Sequence, residues 1–148
     1  MTRMSAPLTL PDLSAPASAT PLVRTVRIEE PVDLLGHVPA GVSGAWLRHG
    51  QGLVAVGRAW SVRTTGPDRF AAASAAFRDL ASRARVDDEV RVRTSGLIAL
   101  GSFSYAGASE RPSTLLVPRA LLGVQPMMTN SCLRVHLVLS QARVRSPR

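Results

Sequence analysis

The chain has 148 residues, 45% of them hydrophobic and only 4% aromatic, enough for one domain whose core draws on Ala, Val and Leu. Its 18 basic residues are all Arg, set against 10 acids for a net charge of +8, so no lysine amine is present to act as base or nucleophile. The single Cys excludes an internal disulfide and a Cys-based zinc site, His37, His49 and His136 lack metal-ligand spacing, and no apolar run nears the roughly 20 residues that cross a bilayer.

Residues 1–21 are rich in Ala, Ser, Thr and Pro and read as a flexible arm. Pro7, Pro11 and Pro16 break this segment and argue against a signal peptide, which makes a cytoplasmic location the expectation. Leu22 to Ile28 alternates with Val, Ile and Thr and predicts a strand. Its Arg24 and Arg27 fall on opposite faces, which places the strand near a sheet edge. Glu29 and Glu30 would point to opposite faces of a strand and read as a solvated turn rather than an acid/base pair. Pro31 to Gly36 suits one helical turn.

Ala45 to Arg48 and Leu53 to Gly57 are strand candidates joined by a tight turn at His49, Gly50, Gln51 and Gly52, a β-hairpin pattern. No helix follows those glycines at once and no Gly-Lys-Ser/Thr follows at all, which excludes a phosphate-binding P-loop. Ala59 to Arg63 continues as a strand with Trp60 and Val62 on one face. A helix is predicted over 67–84, with Pro67 at its first position and Asp68 at the positive end of its dipole. Phe70, Ala73, Phe77, Leu80, Ala81 and Ala84 make its packing stripe, with Arg69, Arg78, Asp79 and Arg83 largely off it. Asp87, Asp88 and Glu89 form the only acidic cluster. Clustered carboxylates bind divalent cations, but Arg83, Arg85, Arg91 and Arg93 surround these, and a solvated, charge-balanced loop is the reading.

Leu97 to Leu100, bounded by Gly96 and Gly101, suits a strand buried on both faces. Ala106 to Pro112 is turn chemistry, Leu115 to Val117 is the return strand, Pro118 marks a break or an edge, and Gly123 ends the segment after Leu121 and Leu122. Leu133, Val135, Leu137 and Leu139 then alternate as in a strand. Residues 124–148 carry 4 Arg and no acid, so half of the excess charge lies there.

Gly96-Leu-Ile-Ala-Leu-Gly-Ser-Phe-Ser-Tyr105, followed by Leu115-Leu-Val-Pro-Arg-Ala-Leu-Leu-Gly123, resembles the N-terminal half of the chorismate-utilising enzymes, and among them isochorismate synthases. Gly52-Leu-Val-Ala-Val-Gly57, and Gly66-Pro-Asp-Arg-Phe70 opening an Ala-rich helix, add to the resemblance, which covers about residues 22–123. The organisation expected is thus a 1–21 arm, a 22–123 isochorismate-synthase-like N-terminal part, and a basic non-family tail over 124–148, the mark of a shifted reading frame or a truncation. The fold class expected is α+β, a largely antiparallel sheet with one main helix packed on it, as an incomplete half of a chorismate-utilising-enzyme sandwich.

The resemblance implies an isomerase that binds chorismate with Mg²⁺ and moves its hydroxyl, feeding menaquinone, salicylate or catechol-siderophore synthesis. It places the lysine base, the glutamate acid and the metal-holding glutamates in the family's C-terminal portion. No residue here matches those motifs. No catalytic, cofactor-binding or metal position is therefore nominated; Mg²⁺ and chorismate belong to the full-length family, and the fragment is expected to be inactive. Asp87, Asp88, Glu89 and Glu110 are the carboxylates to search should turnover be found. The alternative is a small basic non-enzymatic protein that binds RNA or a protein partner. Phe103 and Tyr105 stand two apart without the basic frame of an RNA-stacking motif, so specific nucleic-acid binding is not expected. No membrane partner is expected either, and uncovered strand edges imply self-association.

Overall fold

A computed structural model of the chain describes residues 21–28, 34, 42–49, 51–126 and 133–142. Within these residues the protein is α+β, with one helix and largely antiparallel sheets. The strands are β1 (Pro21–Ile28), β2 (Val42–Arg48), β3 (Gln51–Val56) and β4 (Trp60–Thr64) before helix α1 (Arg69–Arg83). After it come β5 (Arg85–Asp88), β6 (Leu100–Ser102), β7 (Ser113–Val117), β8 (Ala120–Pro126) and β9 (Leu133–Ala142). A six-stranded sheet has the order β2-β3-β8-β9-β1-β5 and a three-stranded sheet the order β4-β7-β6. Among the described strands only β1 and β5 pair in parallel.

The two sheets share one bent ribbon. β3 pairs antiparallel with β8, and β4 with β7. Between them, Gly57 to Ala59 stand against only Pro118 and Arg119, an extra residue that bends the ladder as a bulge does. The amide of Arg119 donates to the Val56 carbonyl at 3.1 Å, and the amide of Ala59 to the Val117 carbonyl at 2.9 Å. The ladder thus resumes at once on either side of the corner. Pro118 is fully buried in it, where its missing N–H leaves no donor to satisfy. Gly57 turns the other chain with φ 63°, a conformation that costs a residue with a Cβ.

The main sheet buries Val23, Leu53, Ala55 and Leu121 as one cluster, with Leu97, Ile98 and Leu100 packed against it. Leu34, Val54 and Val124 form a second cluster that Ile28, Val42, Leu47, Val56 and Leu122 surround. Adjacent residues of β3 enter different clusters because successive side chains of a strand leave opposite faces. The run 97–100 is therefore not the interior strand that its apolarity suggests. Only Leu100 enters β6, an edge strand of the smaller sheet, while Leu97 and Ile98 cover the larger one. An apolar run records the need for burial and is silent on the backbone that delivers it. What ties this cover down is Thr25, fully buried on β1: its hydroxyl accepts the Gly96 amide at 3.0 Å and its carbonyl accepts the Glu89 amide at 3.1 Å.

Other boundaries differ from the sequence reading. β8 runs through Gly123 to Pro126, and Arg85–Asp88 is a strand rather than loop. The hairpin turn is shorter than expected, since Gln51 and Gly52 already belong to β3. β9 lies in the segment that the sequence sets apart as a tail, and its backbone pairs with β8 on one side and β1 on the other. β1 lies near the sheet edge, as its arginines on both faces suggest, with only β5 outside it. The expectations for residues 1–20, 29–30, His37 and the rest of the 31–36 turn fall outside the described residues.

The helix is an Ala-rich segment of good intrinsic propensity, and it packs on β4 and β7. It begins two residues later than expected: Asp68 is its N-cap, makes no side-chain cap bond, and leaves Pro67 outside. Its buried face is Arg69, Ala73 and Leu80. Phe70, 52% exposed, lies off it.

Replacing Thr25 by Val, nearly isosteric, should cost about 1–3 kcal/mol because the buried Gly96 amide loses its acceptor; urea denaturation of the two proteins measures the difference. Gly52→Ala should cost more than Gly66→Ala. Both positions have positive φ, but a Cβ at Gly52 would collide with the Trp46 carbonyl oxygen, whereas one at Gly66 meets nothing within 4 Å. The expected costs are about 3 kcal/mol or more and about 1 kcal/mol.

Candidate functional site

Two polar constellations stand out. The first is built around Arg69. This side chain is 7% exposed, and its guanidinium donates to three carbonyls: Nη1 to Gly66 at 3.1 Å, Nε to Ser104 at 3.0 Å and Nη2 to Tyr105 at 2.9 Å. It also lies 4.5 Å from the centre of the Phe70 ring, which stacks on Phe103 at 4.7 Å. No carboxylate pairs with it among the described residues. A planar donor fork suits converging carbonyls, and a buried guanidinium sheds less hydration than an ammonium. Arg69 thereby locks the loop after β6 onto the start of α1. The Ser104 amide donates in turn to the buried Ser113 hydroxyl at 3.0 Å, which ties the same loop to β7. The sequence pattern puts Arg69 on the outer face of the helix. A helical wheel cannot register that a loop more than thirty residues on in the chain presents carbonyls there.

The second is a cleft of about 420 Å³ at the β2–β3 turn. Trp46 and Arg48 of β2, His49 of the turn, and Gln51, Gly52 and Leu53 of β3 line one side; Val124 of β8 and Thr94 of the loop after β5 complete it. Trp46 is 71% exposed although it pairs across the strands with the buried Leu53. Arg48 pairs with Gln51 beside the turn. His49 is held in the left-handed region at φ 53°, the conformation that tight hairpin turns of the mirror-image type demand. Gly52, at φ 133°, lets the backbone pass under the Trp46 carbonyl. The sequence marks this hairpin by its glycines but does not mark the cleft, because Thr94 and Val124 arrive from distant parts of the chain.

The acidic cluster is divided by its contacts. Arg24 of β1 pairs with Asp87 at 3.8 Å and with Glu89 at 3.2 Å, all of them more than half exposed; such pairs stabilise by about 1 kcal/mol or less. Asp88 faces its own loop, where it accepts the Val90 and Arg91 amides, each at 3.0 Å, and the Ser95 hydroxyl at 2.5 Å. Asp87 and Glu89 thus share Arg24, a cation from a neighbouring strand. Arg83 pairs within the helix with Asp79 at 2.7 Å. Glu110 is exposed in the turn before β7. Among the described residues, no group of three or more His, Cys, Asp or Glu side chains could hold a metal ion, and no helix is long and apolar enough to cross a membrane.

Comparison with known proteins brings no match: no family model, no curated protein and no solved structure is similar to the chain.

Arg69→Met should loosen the loop without unfolding the sheets. The Ser104 amide should exchange with solvent faster, and stability should fall by about 2–4 kcal/mol, since three carbonyls lose a charged donor. Hydrogen exchange followed residue by residue separates this outcome from global destabilisation, which would speed exchange in β8 to the same extent.

Proposed function

We propose that residues 22–123 form the N-terminal, non-catalytic part of an isochorismate-synthase-like protein of the chorismate-utilising class, an incomplete half of that class's sandwich. The observation that carries this reading is that the separate stretches bearing the resemblance come together in space. Gly52–Gly57 supplies β3, whose partner β8 begins in the Val-Pro-Arg stretch. That same stretch supplies the end of β7, which pairs with β6 of the Gly-Ser-Phe stretch. Arg69, from Gly66-Pro-Asp-Arg-Phe70, binds the carbonyls of Ser104 and Tyr105 in the Gly-Ser-Phe-Ser-Tyr stretch. A motif set whose members hold one another in place behaves as a structural unit.

Its role is that of a scaffold. The reaction implied by the resemblance needs a base and an acid on opposite faces of the substrate ring and a metal on its carboxylate. The chain contains no Lys, and the carboxylates of the 87–89 cluster are engaged with Arg24 or with their own loop. In this reading Mg²⁺ and chorismate are held by the family's C-terminal portion, and the present segment supports it.

The test is complementation. Mixed with the C-terminal portion of an isochorismate synthase, the chain should restore conversion of chorismate in the presence of Mg²⁺, followed by chromatography of isochorismate. Failure to associate with that portion would sink the reading. Alone, the chain should give no turnover above a no-protein control, because loss of a general base by itself removes a factor of about 10² to 10⁴. Alone it should also self-associate through β2, the outermost strand of the larger sheet. Ala45→Lys, at an exposed position of that edge, should lower the apparent mass in sedimentation, as charges on edge strands do.

A further inference from the structure

The cleft at the β2–β3 turn carries chemistry that the scaffold role does not use and does not depend on. Its volume of about 420 Å³ falls in the range of small-ligand sites, about 300–1,000 Å³. Trp46 and Arg48 are two residues apart on one strand, so their side chains leave the same face roughly 7 Å apart. Indole and guanidinium are thus presented side by side. Both are exposed, and Arg48 makes no ion pair among the described residues. No Asp or Glu lines the cleft, whereas Arg48 and His49 both offer N–H donors to it. The sign of the charge points to an anion. The large exposed aromatic face points to a flat one, since an aromatic ring stacks on indole in a way that a puckered ring does not. Leu53, which pairs across the strands with Trp46, gives the cleft an apolar floor where such a ring is freed from water.

We propose that this cleft binds a small planar anion of the aromatic carboxylate class, its ring on Trp46 and its carboxylate on Arg48. Arg48 is the specificity-determining residue, because a guanidinium fork matches the two oxygens of a carboxylate. The tight turn at His49, with Gly52 beginning the return strand close under the Trp46 carbonyl, places both side chains on one hairpin.

The experiment uses the full chain labelled with ¹⁵N. The indole N–H resonance of Trp46, identified with Trp46→Phe, is followed during titration, and that of Trp60 serves as the internal reference. Three probes separate the two recognition elements: benzoate is flat and charged, benzamide flat and neutral, cyclohexanecarboxylate charged and puckered. Benzoate should shift the Trp46 signal saturably and leave that of Trp60 in place. The other two probes should bind at least about tenfold more weakly, as should benzoate to Arg48→Gln. Arg48→Lys, which keeps the charge and loses the fork, should be intermediate. A linear, non-saturating response to benzoate would overturn the proposal. So would equal affinity for all three probes, or unchanged benzoate binding by Arg48→Gln. Arg48 is exposed at the end of its strand, so both substitutions leave the fold intact, which the unshifted Trp60 resonance checks in the same spectra.

Discussion

The corner where β3 turns into β4 and β7 turns into β8 is the constraint on which the rest of the structure depends. Two sheets are held at an angle because one hydrogen-bonded ribbon runs through both. Its bonds resume immediately across the bend, from Arg119 to Val56 and from Ala59 to Val117. Strands that switch sheets at a bulge are the usual way to turn such corners. Here the bulge is made by a glycine on one strand and a buried proline on the other. Gly57 accepts the left-handed turn, and its carbonyl takes a hydrogen bond from the Ser43 hydroxyl of β2 at 2.7 Å. Pro118 fills the inside of the bend with no amide to satisfy. If the two chains did not bend together, either the main cluster around Leu121 or the pairing of β7 with β4 and β6 would be lost.

That corner also sets the chemistry of the two polar constellations. The smaller sheet carries α1, and the first residue of α1 is the arginine that holds the loop after β6. The larger sheet carries the hairpin that presents Trp46 and Arg48. Each constellation combines a local device that places a side chain with a distant segment that completes its surroundings. For Arg69 the local device is the start of the helix, and the distant segment is the carbonyl pair of Ser104 and Tyr105. For the cleft it is the tight turn at His49, completed by Thr94 and Val124. The polar groups around Arg69 are engaged in this arrangement and would be exposed in most others, so they select a single packing as well as stabilise it.

The acidic cluster makes the complementary point. Three adjacent acids look like one feature in the sequence, yet neighbours on a strand alternate between faces. Asp87 and Glu89 meet Arg24 across the sheet, while Asp88 turns to cap the 90–95 loop. A charged run thus serves as two separate structural devices, one of them worth little because it is exposed and the other more because it satisfies backbone amides.

By itself the sequence determined where most strands and the helix lie. Alternation marked β1 and β9, glycines marked the β2–β3 hairpin, an alanine-rich stripe marked α1, and Pro118 marked the end of β7. These are local signals, set by backbone sterics and by a periodicity of two or nearly four residues. Tertiary structure decided what local signals cannot encode. It turned the 97–99 run into a cover for the larger sheet, and it placed β9 between β8 and β1. It buried Arg69 in place of Phe70, and it assembled the cleft from Trp46, Arg48, Thr94 and Val124. The physical reason is common to all four: each depends on partners far away in the chain, and a side chain's role is set by what folding brings beside it. Arg69 shows this most plainly. Hydropathy puts an arginine outside, and three carbonyls converging on one guanidinium outweigh that preference.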